Sequence, residues 1–267
     1  MVVLVILAGG ASRRFGRDKC TYEYRGKRLI DYVIEAGNEL GAKIVIAAGR
    51  NAAFYQGEEV IEDSDRFSGP LAAVDTATRR FEEELVFAPC DTPFIKPTVF
   101  EKLISADAPL AVWVFPNGRV ESTIFKARPQ NVSVALDLLA QHKRRRVDDL
   151  FRIVATKFLS VVKHGISPKW VHNINTPRDL ETETEATGEI FVEDYLISWD
   201  VPPLIKWLRN GDVEALRGEF LRYVEVGLLS MAAHVAKDLS HVGKGYAVLA
   251  EAIYGAVEVN KRTMRGN

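Results

Sequence analysis

Cysteine is nearly absent from this 267-residue chain, where only Cys20 and Cys90 occur. Two thiols cannot build a disulfide framework at this length, which excludes the small secreted scaffolds and points to a reducing cytoplasm. Net charge is nearly absent too. The 35 basic and 36 acidic residues leave a formal charge of -1, so no global field draws the chain to nucleic acid or to an anionic membrane, and phosphate recognition has to be local. Long apolar runs are also missing. Met1 to Leu7 lacks a basic leader and runs straight into glycines, unlike a signal peptide, and no stretch approaches the ~20 residues of a membrane span. No repeat occurs at solenoid periods.

What the chain has is alternation. Val2 to Leu7, Lys43 to Ala48, Leu85 to Ala88 and Leu110 to Phe115 are short, β-branched and unbroken, the pattern of strands buried on both faces of a parallel sheet. Between them, Ile30 to Glu39, the stretch from Gly69-Pro70 to Phe81, and Pro97 to Ile104 carry helical spacing with glycine or proline at their ends. The expected first part is an α/β three-layer sandwich. After Leu180 the acidic, polar Glu181 to Glu189 segment reads as an exposed linker or a fraying helix end. Beyond it, Pro202 to Leu208, Val213 to Leu239 and Tyr246 to Val259 predict a small all-helical unit, broken at Asn210-Gly211-Asp212 and at Gly243 and Gly245.

Chemistry concentrates where strands end. In open α/β sheets, ligands collect beyond the carboxyl ends of strands, and LVILAGGASRRFGRDK places Ala8, Gly9 and Gly10 there, followed by Arg13, Arg14 and Lys19. Glycines let backbone N–H groups reach phosphate oxygens, and the three cations can neutralise a polyphosphate. The spacing is neither GxxxxGK[ST] nor GxGxxG, which weighs against P-loop hydrolases and hydride transfer. An ordinary tight turn with solvated arginines fits the same residues. PCDTPF sets Asp91 at another strand end, where a carboxylate can hold a divalent cation against triphosphate oxygens or simply serve a turn. In NINTPRDL, Thr176 and Pro177 read as an N-cap and a first helical residue.

Taken together, LAGGASRRFGRDK, VIEDSDRFSGPLAAV, PCDTPF, DAPLAVWV and NINTPRDL resemble the molybdenum-cofactor guanylyltransferases, in order and at family-like spacing over residues 1–183. The resemblance implies a three-layer Rossmann-like nucleotidyltransferase domain with a mostly parallel mixed sheet at 1–183. A small all-helical C-terminal domain of unassigned role, 184–267, lies outside it. It implies that Leu7, Ala8, Gly9 and Gly10 meet the nucleotide, Lys19 its phosphates and Asp63 the nucleoside. Asp91 would meet both GTP and Mg²⁺, with Asp91, Lys19 and Arg14 as the catalytic set. The second-substrate side falls to Asn175 and Arg145. Three departures stand out: Ala47 where the family often has an Asn contacting GTP, GPLAA with Ala73 in place of GPLAG, and Ser122 in place of the Pro before Thr123.

The implied reaction is Mg²⁺-dependent transfer of GMP from GTP to molybdopterin with release of pyrophosphate, in which the protein positions groups and offsets their charge. A cytidylyltransferase acting on molybdopterin, a guanylyltransferase acting on adenosylcobinamide phosphate, and a non-catalytic GTP-binding regulatory module stay open as alternatives. Cys90 at a strand end, without an evident base beside it, reads as packing rather than as a nucleophile. Lys143 to Arg146 fits a grip on the pterin phosphate and equally a solvated helix end. His234, Asp238 and His241 share one helical face at zinc-like spacing but lack further ligands, so surface or capping roles suit them better. Trp199 and Trp207 read as anchors of the helical unit. Its apolar residues should dock on the first domain, on a second copy or on a partner in molybdoenzyme maturation. Neither nucleic acid nor membrane is expected as a partner.

Overall fold

The structure is a computed structural model of the full chain, and it describes residues 1–9, 19–55, 57–181 and 188–263. Gly10, Arg13, Arg14 and linker residues 182–187 therefore lie outside the described residues. The elements run β1 (Val2–Leu7), β2 (Glu23–Tyr24), β3 (Lys27–Arg28), α1 (Leu29–Glu39), β4 (Lys43–Ala47), β5 (Val60–Ile61), α2 (Pro70–Arg80) and β6 (Glu84–Pro89). They continue with α3 (Pro97–Ser105), β7 (Leu110–Val114), β8 (Val120–Ala127), α4 (Pro129–Gln141), α5 (Asp148–Ile153), β9 (Thr156–Ser160) and β10 (Tyr195–Ile197). Four helices follow: α6 (Pro203–Asn210), α7 (Val213–Glu225), α8 (Leu229–Leu239) and α9 (Lys244–Thr263).

An eight-stranded sheet in the order β10-β9-β7-β8-β6-β1-β4-β5 forms the centre. It is mixed and mostly parallel: β1 pairs in parallel with β4 and β6, while β8 runs antiparallel between β6 and β7, and β10 runs antiparallel along β9. Side chains alternate across it as the period of two requires. Val3, Val5, Leu85 and Phe87 join one buried cluster, and Leu4, Ile6, Val86 and Ala88 join another on the opposite face. This is the expected three-layer α/β architecture.

Local sequence accounts for the element ends. Helix α2 starts at Gly69, whose φ of +69° suits glycine, with Pro70 in the first turn and Arg79 and Arg80 in the last, where cations complement the helix dipole. One expectation fails: Val213 to Leu239 is two helices, not one, because Gly227 turns the chain between α7 and α8 at a φ of +77°. Unbroken apolar spacing concealed this turn. A β-carbon on Gly227 would stand 2.4 Å from the Ile190 carbonyl oxygen, so close backbone contact requires glycine here.

The C-terminal helices dock on the sheet's α2/α4 side. Leu216, Tyr223, Leu228, Met231, Val235 and Leu239 belong to the same hydrophobic cluster as Phe125, Leu136 and Phe158, and Trp199 and Trp207 pack against it. Polar contacts fix the orientation: the Val120 N–H donates to Ser230 Oγ at 2.9 Å, and Asn117 Nδ2 donates to the Val257 carbonyl at 3.0 Å. Arg152, fully buried, donates through Nε and Nη2 to the two carboxylate oxygens of Glu219 at 2.7 and 2.8 Å. Burial raises the Glu219 pKa above its usual 4.5 even though Arg152 pulls it down.

Candidate active site

The carboxyl end of β1 is fastened on both sides. The Ala8 N–H donates to the Ala47 carbonyl at 2.8 Å and the Cys90 N–H to the Leu7 carbonyl at 3.2 Å, so the ends of β4, β1 and β6 form one ledge. Beyond the ledge lies a cleft of about 260 Å³ lined by Leu7, Gly9, Lys19, Asp63, Asp91 and Asn175, among others. Four segments far apart in sequence thus meet where an open sheet collects ligands.

Asp91 is the buried charge of the site, only 2% exposed. Lys19 Nζ donates to Asp91 Oδ2 in an ion pair that brings the two proposed catalytic side chains together. The Asp91 carbonyl accepts from the Ile174 N–H at 2.8 Å, which ties the segment carrying Asn173 and Asn175 to the same ledge. Thr92 Oγ1 donates to the Pro89 carbonyl at 2.9 Å and closes the turn.

Asp63 stands opposite, above two glycines. A β-carbon on Gly49 would lie 2.5 Å from Asp63 Oδ2, and one on Gly9 would lie 3.1 Å from it. Gly49, at a φ of +50°, leaves room that a side chain would take from the carboxylate, and Gly9 does so less tightly. Asp63 is solvent-accessible, yet partial desolvation raises its pKa above the ordinary 3.8. The start of α2 completes this wall with Gly69, Pro70 and Ala73, and the positive end of the helix dipole favours an anion nearby.

The remaining wall is polar. Thr123 Oγ1 donates to Glu121 Oε1 at 2.6 Å and accepts from Asn173 Nδ2 at 3.4 Å. Asn175 Nδ2 donates to the Asn173 carbonyl at 3.3 Å, and the Asn175 N–H is held by Asp179 Oδ2 at 2.8 Å, part of a capping box with Thr176. Thr123, Asn173 and Gly49 line or shape this site without having been assigned to it from sequence. Asn173 was detectable, standing two residues before Asn175 in NINTPRDL.

Two outcomes differ from expectation. Cys90 is not merely packed: it is disulfide-bonded to Cys20 across 70 residues of sequence, with Cα atoms 5.3 Å apart, a separation suited to such a bond. The bond joins the neighbours of Lys19 and Asp91. Asn175 and Arg145, both read as second-substrate residues, line different clefts, Asn175 that of Asp91 and Arg145 a second one beside α8. Arg14 and Gly10 fall outside the described residues.

No group of three or more His, Cys, Asp or Glu suited to a metal occurs among the described residues. Magnesium bound with nucleotide typically needs only one or two carboxylates, with phosphates and waters as the other ligands. Asp91, a buried carboxylate on the ledge, can serve as one such ligand in exchange for the Lys19 ammonium.

An open mixed sheet, a glycine-bearing ledge and an acid–base pair facing a second acid define a nucleotidyltransferase. Residues 4–155 match the family described as MobA-like NTP transferase domain, and the chain belongs to that family. It is 31% identical over 181 residues to the molybdenum cofactor guanylyltransferase of Vibrio atlanticus (strain LGP32), covering 66% of this chain and 92% of that protein. It is 32% identical over 197 residues to the probable molybdenum cofactor guanylyltransferase of Bacillus subtilis (strain 168), covering 70% and 97%. The fold is shared with molybdopterin-guanine dinucleotide biosynthesis protein A from Archaeoglobus fulgidus, at a TM-score of 0.56 and 24% identity over 67% of this chain and 95% of that one. Among the described residues, no helix is long and apolar enough to cross a membrane.

Proposed function

We propose that this chain transfers the guanylyl group of GTP to molybdopterin, releasing pyrophosphate and forming molybdopterin guanine dinucleotide, with Mg²⁺ required. The observation that carries this is the Lys19–Asp91 pair in one cleft with Asp63, Gly9 and Asn175. The names of the relatives support the choice of GTP and molybdopterin.

The α-phosphorus of GTP would lie over the ledge formed by Leu7, Gly9 and Asp91. A phosphate oxygen of molybdopterin attacks it in line, one P–O bond forms, and the bond to the β-phosphate breaks with pyrophosphate as the leaving group. Lys19 turns from Asp91 toward the triphosphate, where its ammonium offsets charge on the departing oxygens. Asp91 would hold Mg²⁺, which would supply further offset of phosphate charge. Asp63, beside Gly9 and Gly49, accepts hydrogen bonds from the nucleoside. Asn175, fixed by Asp179, orients the second substrate from the opposite wall.

The test is nucleotide affinity by calorimetry with Mg²⁺ present. GTP should bind more tightly than CTP, because a site built to pair with one base leaves polar groups unpaired with another at about 1–3 kcal/mol each. Equal or tighter CTP binding would reject the guanylyl assignment.

A further inference from the structure

Two stretches outside the Lys19–Asp91 cleft, Lys143 to Arg146 and the histidine face of α8, meet around one cleft of about 300 Å³. This cleft shares no lining residue with that of Asp91. One wall is the turn after α4. The other is α8 and the turn that follows it, beyond the residues 4–155 that match the family.

The charge of the lining is unbalanced. Lys143, Arg144, Arg145, Arg146 and Lys237 share the lining with two carboxylates, Asp149 and Asp238, and a third, Asp148, stands behind it at 3.4 Å from His234 Nε2. Asp149 and Asp238 are already committed: Arg144 donates to Asp149 at 2.6 and 2.9 Å and to Asp238 at 2.8 and 3.0 Å, and Arg152 adds further bonds to the same pair. Arg146 Nη1 lies 2.6 Å from His234 Nδ1 and 3.4 Å from the Tyr254 hydroxyl. An arginine can only donate, so that histidine nitrogen accepts. The zinc-like spacing of α8 is thus spent otherwise, with His234 on Arg146, Asp238 on arginines, and His241 stacked on Trp207 at 6.5 Å and 19°.

Lys143, Arg145 and Lys237 form no ion pair among the described residues, and all three are exposed on the cleft. Lys143 sits at a φ of +54°, closing α4 with its N–H on the Ala140 carbonyl, a position that ordinarily favours glycine. A long cation therefore stands where the backbone prefers no side chain, and three like charges on one cleft have no ion-pair partner among the described residues.

We propose that this second cleft binds a compact phosphate-bearing anion, at a site separate from the nucleotide. A phosphate group matches the donors: Arg145 offers a planar fork, and Lys143 and Lys237 offer point charges from opposite walls. The C-terminal helices thereby supply half of a binding site. The chemistry is shared by free diphosphate and by phosphate monoesters.

The test is calorimetric titration of inorganic pyrophosphate and of inorganic phosphate into full-length K19A, which weakens the Asp91 cleft, and into K19A/K143Q/K237Q. Thermal melts confirm folding of both. Pyrophosphate should bind K19A at least tenfold more tightly than the triple variant, with an affinity that falls as salt rises. Stronger binding of pyrophosphate than phosphate assigns a diphosphate ligand, and equal binding assigns a monoester. Equal pyrophosphate affinity in the two folded variants would overturn the site. So would tighter binding of a glutamate-rich peptide than of either anion, which would assign a protein partner instead. GTP affinity of K143Q/K237Q with Lys19 intact is read separately, and a parallel loss there would overturn the separation of the two clefts while leaving the nucleotide reading in place.

Discussion

Lys19 and Asp91, 72 residues apart, form an ion pair, and the residue after the first is disulfide-bonded to the residue before the second. The segment that follows the first strand is thus held to the end of β6 twice, by charge and by covalent bond. Both links lie in the cleft assigned to the triphosphate.

Asp91→Asn keeps the shape of the side chain and removes its charge. Lys19 loses the carboxylate charge of Asp91 and Mg²⁺ meets a weaker oxygen ligand, so turnover should fall by roughly two orders of magnitude or more. Lys19→Ala should mainly weaken nucleotide binding. Steady-state kinetics over a Mg²⁺ titration, with a melt to confirm folding, checks both. The fitted Mg²⁺ requirement should rise in Asp91→Asn and stay near that of the unaltered chain in Lys19→Ala.

The Cys20–Cys90 bond closes a loop whose ends are 70 residues apart. In the chain-entropy account, a loop of that size stabilises the fold by roughly 4 kcal/mol. Cys20→Ser/Cys90→Ser should therefore melt at lower temperature than the unaltered chain and bind GTP more weakly, because Lys19 loses its anchor. Reductant should lower the melting temperature of the unaltered chain and leave the double variant unchanged.

Asp63 has a raised pKa, so its charged form costs stability, and the sign follows from linkage. The cost is present above the folded pKa and disappears as pH falls through that value toward the unfolded 3.8. Asp63→Asn should melt slightly higher than the unaltered chain at pH 7, with the difference closing as pH falls below about 4. Nucleotide affinity should move the other way. It should drop in Asp63→Asn at neutral pH and, in the unaltered chain, decline as acid protonates Asp63.

Arg152 joins the two parts of the molecule through Glu219, both fully buried. Arg152→Met strands a buried carboxylate and should cost about 3–5 kcal/mol in urea denaturation, whereas Arg152→Met/Glu219→Met should recover much of that loss. Glu219 already has a raised pKa, so the stability of the single variant should fall further as pH rises through the Glu219 titration. A chain ended at Glu183 exposes Phe151 and Phe158 and removes Glu219 and Asp238 from Arg152. It should aggregate or unfold well below the melting temperature of the full chain.

Much of this was legible locally. Val2–Leu7 is the strand its β-branched run indicates, and Gly69-Pro70 opens α2 as written. Lys19 and Asp91 were read from the charges that follow strand ends, Asp63 only through the family resemblance of its segment, and the fold brings all three to one cleft. β8 was hidden because this central strand carries Glu121, Ser122, Thr123 and Lys126. Lys126 is fully buried, with its ammonium 3.1 Å from the Ile104 carbonyl and 3.0 Å from Glu84, a tertiary solution invisible to hydropathy. The cysteine pair and the second cleft were hidden for a related reason. Each joins residues some 70 to 95 positions apart, and no spacing rule reaches across a sheet crossover.

The central claim is guanylyl transfer at the Lys19–Asp91 cleft. It is tested most directly by pyrophosphate release from GTP, CTP, ATP and UTP, each with and without molybdopterin, in the presence of Mg²⁺. The account predicts release from GTP that depends on molybdopterin, at least tenfold faster than from CTP, and lost in Asp91→Asn. Tight GTP binding with no pyrophosphate released would contradict it, as would turnover led by CTP.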